Sequence, residues 1–470
     1  MRLVLVLATS ALVILGACSS GDPASPSGSG APPPAAVQPA PAGAVTFHKD
    51  VAPILQKVCQ NCHIAGGIAP FSLVTYDEAK AVAASMVAQT GSRAMPPWGA
   101  QDTSECKPPK PWKDDLRLSA QEITTLQAWH DGGDWEGDPK DAPPPRTAAP
   151  VTGLAGGVSL APATPFALTS TSDTFRCFVL DPKITTTKYL NGSNFVPSNK
   201  TIVHHALAFA IPPGAQVPAD AYECFGGPNV TGASLVAAWA PGGVPDEYPA
   251  DVGLPLVAGT RFVMQVHYHP HGNATKDPDT TAFQYRVTDT APTYQAVTRL
   301  IGNFKTGVDT ASGIGLEAGP SDPASGPAFM IPANAPAHVE TMRFQMPAIK
   351  AAVTPTIWIL GVGAHMHLAG HDEKIELTHA GEPACLLHEP AWNFNWQRGY
   401  QYDAPIESLP TIATGDVVRI RCTYDNTMSN VALANARREA GAPQSADIKL
   451  GESTTDEMCL GAFVFVYKAR

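Results

Sequence analysis

The stretch Arg261-Phe-Val-Met-Gln-Val-His-Tyr268 decides the fold class. It is short, rich in β-branched and aromatic residues, and bracketed by Gly259 and Pro270, which is how a strand closed off by turn residues reads. Runs of the same kind recur at Phe175–Leu180, Thr201–Ala210, Ala282–Val287, His338–Met346, Thr356–Gly361, Val417–Thr423 and Ala462–Tyr467. Gly, Pro, Asp and Asn clusters separate them, a pattern that predicts β-sandwich architecture without a short-period repeat. About 300 residues is too many for one ordinary sandwich, so two in tandem are expected, over residues 165–300 and 301–470.

Upstream the character changes. Residues 137–164 read as a Pro-rich linker, and residues 45–136 as a small all-α unit. In that unit Asp77 to Gln89 is Ala-rich, and Ser119-Ala-Gln-Glu122 is a capping-box pattern opening a helix through Trp129. Residues 19–44, made of Ser, Gly, Pro and Ala, bury too little apolar surface to fold and read as a disordered tether. Residues 1–18 have a basic start, an apolar run from Leu3 to Leu15 and a small-residue cleavage site, which make a signal peptide. Leu15-Gly16-Ala17-Cys18 resembles the bacterial lipobox. It implies an exported lipoprotein anchored through acylated Cys18, and Ser19 in place of Asp favours the outer membrane, at its periplasmic or cell-surface face. The net charge of −11 offers no basic stripe for nucleic acid.

Cys59-Gln-Asn-Cys62-His63 is the c-type haem attachment pattern. Two thiols at this spacing form thioethers to a haem, and the next imidazole sits where it can ligate iron. Met95, in Arg93-Ala-Met-Pro-Pro-Trp98, is the expected second axial ligand, since the two prolines stiffen the loop presenting its sulfur. Met86 reads as packing, and His48 and His130 as structural or surface residues. Such a haem carries electrons and leaves no open iron position for substrate. Beyond Cys18, Cys59 and Cys62, six cysteines remain: Cys106, Cys177, Cys224, Cys385, Cys422 and Cys459. Export makes disulfides available to them, with 15 pairings open to six cysteines.

Three histidine groupings stand in the β region: His204-His205, His267 with His269 and His271, and His365-Met-His367. On a strand, residues i and i+2 share a face, so His365 and His367 can point at one ion. Adjacent His204 and His205 can do so only with a local irregularity or with different ring nitrogens. Imidazole suits copper and zinc, and a thioether favours copper.

These residues carry a family resemblance. Ile202–Ala206, Ala238-Trp-Ala-Pro241, Gln265-Val-His-Tyr-His-Pro270, Ala364-His-Met-His-Leu-Ala-Gly370, Gly415-Asp-Val-Val418, Arg421-Cys-Thr-Tyr424 and Asp456-Glu-Met-Cys459 occur in an order that resembles the copper type II, ascorbate-dependent monooxygenases. This is the group of dopamine β-hydroxylase, the nearer likeness, and peptidylglycine α-hydroxylating monooxygenase. The resemblance implies two jelly-roll-like copper domains. It implies an electron-relay copper on His204, His205 and His267, and an oxygen-binding, catalytic copper on His365, His367 and Met458. Composition alone would make Met458 a core residue. The resemblance also implies disulfides Cys422–Cys459 and Cys177–Cys224, leaving the pairing of Cys106 and Cys385 open. His269 and His271 receive no ligand role. Peptide-amidating members carry an Arg and a Tyr where this chain has Gly363 and Ala462, so a glycine-extended peptide is not the expected substrate. The expected cofactors are two copper ions and one haem c. The expected partners are O2, a small organic substrate, and an upstream donor, either an ascorbate-like reductant or a redox protein. The expected function is hydroxylation of a C–H bond with electrons passed through the haem. The alternative is a surface cytochrome whose β domains store or deliver copper.

Overall fold

The computed structural model describes residues 39–65, 69–145, 153–170, 173–240, 243–269, 277–320, 322–349 and 355–469. The expected leader, the Cys18 anchor, most of the 19–44 tether and His271 lie outside them.

The N-terminal part is helical. Short helices at Ala52–Lys57, Tyr76–Ala81, Ala83–Gly91 and Ala120–Asp131 enclose a small core in which Phe47, Leu55, Leu126 and Trp129 are buried. Ser119 and Glu122 form the expected capping box. A second box, Thr75 with Glu78, opens the Tyr76–Ala81 helix. The Ala-rich run is broken at Val82, whose backbone leaves the helical region. Met86 packs into this core, His48 pairs with Glu136 and His130 with Asp134.

The β region is two sandwiches. In the first, one sheet runs in the order Ala221–Glu223, Thr174–Leu180, Arg261–Tyr268, Val203–Ile211, Ser234–Trp239. Its other layer is Val158–Leu160, Ala282–Thr288, Lys188–Val196, Val252–Leu256. That layer continues into the second sandwich, because Val252 and Gly253 pair in parallel with Tyr294 and Gln295. From there it runs Tyr294–Gly302, Leu460–Lys468, Ile357–His365, Gly399–Gln401. The facing sheet is Gly315–Glu317, His338–Gln345, Val417–Tyr424, Gly370–His379, Glu382–Glu389. The 417–424 strand alternates strictly, with Val418, Ile420, Cys422 and Tyr424 inward, as a half-buried strand should. Central strand 261–268 is covered on both faces and buried almost throughout, with Gln265 and His267 buried among its apolar residues.

Pairings and contacts cross three of the expected boundaries. Strand 294–302 straddles the expected division near residue 300 and pairs along its whole length with 460–468. Val158–Leu160, inside the expected linker, pairs with the 282–288 strand. Residues 98–112, expected within the helical unit, contribute Trp98, Ala100 and Trp112 to the β core. The Cys106–Cys385 disulfide and the stack of Trp112 on Tyr402 (4.8 Å) fasten that segment to the second sandwich. Cys177–Cys224 and Cys422–Cys459 are the other two bridges. Among the described residues no helix is long and apolar enough to cross a membrane.

Candidate metal centres

His204 and His205 begin the 203–211 strand, opposite His267 on the 261–268 strand. His205 is in register with His267 and Val203 with Tyr268, so His204 is the extra residue of a bulge. A bulge re-aims one side chain, which supplies the irregularity that two adjacent histidines need. The Nδ1 atoms of His204 and His205 come within 3.2 Å, and those of His205 and His267 within 3.3 Å. Nitrogens about 2.0–2.1 Å from a shared metal stand roughly 3.3–3.6 Å apart by simple geometry, so the spacing fits one ion. Behind them Asp173 Oδ1 lies 3.3 Å from His267 Nε2 and 2.5 Å from His269 Nδ1, while its Oδ2 accepts from Thr454 at 2.7 Å. Burial raises the Asp173 pKa, but the two imidazoles outweigh it and hold the carboxyl below its ordinary value. His269 therefore acts on the site through a carboxylate.

The second set lies at the end of the 357–365 strand. His365 Nδ1 is 2.8 Å from Gln397 Oε1, and the Gln397 amide is oriented by donating to the Phe394 carbonyl at 3.1 Å. His367 Nδ1 donates to the Asp456 carbonyl at 3.2 Å. With each Nδ1 acting as donor, each Nε2 keeps its lone pair for a metal. Burial pushes His365 down to about 4 and His367 to about 3, so both rings are neutral, as ligands must be. Glu457 organises the site from below. Its Oε2 accepts from the backbone N–H of His367 (2.8 Å) and Met458 (3.1 Å), and its Oε1 from Ala369 (2.6 Å) and Gly370 (3.1 Å). One carboxyl thus ties the His-x-His turn to Met458. Cys459 then bridges Met458's segment to the 417–424 strand.

His205, His267, His365, His367 and Met458 open on one cleft of about 590 Å³. Phe394 stands between the sets. Its ring stacks on His204 at 4.3 Å and meets His367 edge-on at 6.0 Å. Sequence reasoning missed Phe394, Gln397, Asp173 and Glu457. Asn393–Gln397 has no periodicity, and the roles of the acids exist only through backbone N–H groups and imidazoles distant in sequence.

The haem-motif residues stand apart from these. Cys59 and Cys62 are free thiols flanking a short 3-10 turn, and His63 Nδ1 meets the Phe71 carbonyl at 3.1 Å, leaving Nε2 for iron. Burial pushes the Cys59 thiol up to about 12, the opposite of a reactive thiolate. The donor set fits a covalent c-type haem. Met95 lines a small hollow with Thr90, Pro96, Trp98 and Leu118.

Glu389, on the 382–389 strand, is buried, and burial lifts its carboxyl to about 8. A folded-state pKa above the unfolded one means the native protein binds the extra proton. The stability contributed by this one proton is therefore full below about pH 4.5 and is lost as the pH rises toward 8, by at most about 1.4 kcal/mol per unit, alongside that of Glu457, which burial also lifts to about 8. Glu389→Gln is expected to flatten that part of the denaturation-versus-pH curve. An unchanged slope would remove Glu389 as a contributor to it.

A tandem β-sandwich with two histidine sets on one cleft has the framework of a two-centre metalloprotein. Residues 162–275 match the family model for the copper type II ascorbate-dependent monooxygenase N-terminal domain. It is 24% identical over 318 residues to DBH-like monooxygenase protein 2 of Mus musculus, covering 64% of this chain and 44% of the relative. It is 25% identical over 280 residues to DBH-like monooxygenase protein 1 of Homo sapiens, covering 57% and 40%. The chain thus spans less than half the length of these relatives. Among solved structures the major capsid protein P2 of bacteriophage PM2 aligns with 67% of this chain and 98% of its own, at 9% identity and a TM-score of 0.26, too slight to bear on the fold.

Proposed function

We propose that the protein is a copper-dependent monooxygenase that hydroxylates a C–H bond of a small organic substrate and draws its electrons through a covalently attached haem. The observation that carries this reading is the pair of histidine sets, facing one cleft on either side of Phe394. His204, His205 and His267 would hold one copper, and His365, His367 and Met458 the other. Cys59, Cys62, His63 and Met95 would hold the haem. When bound, the metals supply O2 activation and one-electron storage. Overall, substrate, O2, two electrons and two protons give the alcohol and water; the electrons come from an ascorbate-like reductant or a redox protein.

The chain's own residues prepare this reaction. Gln397 and the Asp456 carbonyl fix the tautomers of His365 and His367. Asp173 does the corresponding work behind His267 and joins that site to the Thr454 loop ahead of Met458. Three disulfides agree with an exported protein; anchorage at the outer membrane through Cys18 belongs to the proposal.

Metal analysis of the purified protein is expected to return about two copper ions per iron, as this ligand inventory requires. Anaerobic reduction, then O2 with a panel of benzylic and aliphatic compounds, is expected to yield a product heavier by one oxygen atom and faster haem reoxidation with substrate than without. Copper uptake with no substrate-dependent O2 consumption would instead favour copper storage.

A further inference from the structure

Arg398 follows Gln397, the residue that holds His365, and lines the same cleft. Among the described residues its guanidinium has no hydrogen-bond or ion-pair partner; it lies over the ring of Trp98, with Cζ 5.2 Å from the centroid. Trp98 also lines the cleft and is 6% exposed, and its Nε1 is buried without an acceptor. The buried acid Glu389 accepts from the Tyr400 hydroxyl and feels the Arg398 charge, without a direct ion pair to it. Arg398 and Trp98 thus both border the cleft, and neither the guanidinium nor the indole N–H has a hydrogen-bond partner among the described residues. A half-buried guanidinium with no direct ion pair is costly, and planar carboxylates match its fork.

The strand register leaves room there. Gly363, two residues before His365, pairs with Gly399, and a Cβ at 363 would stand 3.1 Å from the Arg398 carbonyl. The remaining walls include Phe175, Leu207, Trp239, Phe394, Leu460 and Val464, and the volume of about 590 Å³ suits a small organic molecule.

We propose that Arg398 and Trp98 form an anion subsite that grips the carboxylate of an apolar, aryl or alkyl carboxylic acid, with its body lying in the cleft toward His365 and Met458. Calling that acid the substrate rests on the monooxygenase reading; the subsite itself does not. Trp98 comes from the segment stapled by Cys106–Cys385, so the N-terminal part of the chain supplies one wall of the site. The same carboxylate chemistry has a second source in a haem propionate, because Arg398 is close enough to Cys62 to oppose the burial that raises its thiol pKa. The cleft position favours the free acid.

The test titrates the metal-loaded full chain with 4-phenylbutyrate and with neutral 4-phenylbutyramide, read by calorimetry. The acid is expected to bind at least about tenfold more tightly than the amide. Arg398→Gln should weaken the acid about tenfold or more and leave the amide within twofold, while Arg398→Lys restores part of the affinity. Failure of the acid to bind, equal binding of acid and amide, or an Arg398→Gln protein with unchanged acid affinity overturns the subsite. A shift of the haem reduction potential in Arg398→Gln, with acid affinity unchanged, assigns the guanidinium to a propionate and likewise overturns it. Acid binding without any oxygenated product would leave the subsite standing and defeat the monooxygenase reading. Hydroxylation of neutral compounds only would do the reverse.

Discussion

Met458→Ala is expected to lower hydroxylated product at least about a hundredfold, because removing even a residue behind a metal ligand commonly costs 10–100-fold. Bound copper should fall by about half while iron is unchanged. The thioether is the one soft donor proposed beside His365 and His367, and it favours the cuprous state that must meet O2. The backbone at this position stays anchored, since Glu457 holds the Met458 N–H, Tyr424 Oη donates to the Met458 carbonyl at 2.7 Å, and Cys459 is bridged to Cys422. Truncating this buried side chain costs about 2–4 kcal/mol in packing. Loss of product from unfolding is therefore separable from loss of the donor by circular dichroism. His267→Ala is the complement: it should spare copper at the second set and remove it from the first. Retention of full copper and full activity in Met458→Ala would return Met458 to the core residue its composition suggests.

Glu457→Ala is expected to be the most destabilising single change near the site. It strands three buried backbone N–H groups, those of His367, Met458 and Ala369, while the part-buried Gly370 N–H keeps the His367 carbonyl at 3.2 Å as a second acceptor. At about 1–3 kcal/mol for each unsatisfied group, with relaxation and water entry recovering part, a net loss of roughly 4–5 kcal/mol follows, at the far end of single-mutation effects. Thermal unfolding should show it as a fall of about 10 °C or more. The second copper should be lost with it, because the turn carrying His367 and the segment carrying Met458 no longer share an acceptor. Glu457→Gln keeps one carbonyl oxygen and should fall between the two proteins. A neutral Glu457→Ala would mean that the turn is held by packing alone.

The eight apolar runs were legible as strands because each shows its character within a few residues. Strands 188–196 and 370–379 were not. Their sequences, Lys-Tyr-Leu-Asn-Gly-Ser-Asn-Phe-Val and Gly-His-Asp-Glu-Lys-Ile-Glu-Leu-Thr-His, are polar, yet Asn194, Ser193, Glu373 and Lys374 are buried. Such residues enter a strand because neighbouring strands and side chains satisfy them, and propensity has no access to those neighbours. Strand 294–302 straddles the expected division near residue 300, and its partner lies more than 150 residues further on, equally out of reach of a local reading.

Arg261–Tyr268 held its place as a central strand, and the order of the His motifs around it was enough to point to two metal sets. Local chemistry determined that much: β-branched runs between turn residues, a Cys-x-x-Cys-His, and His-x-His at strand spacing act through nearest neighbours in the chain. Tertiary structure alone decided the rest. The bulge that lets His204 join His205 depends on the register against His267. The carboxyl under His367 and Met458, the aromatic ring between the two sets, and the pairing of Cys106 with Cys385 depend on atoms brought together across tens to hundreds of residues. Hydrogen bonds, stacking and disulfides act over a few ångströms of space, and distance along the chain does not record which groups those few ångströms will join.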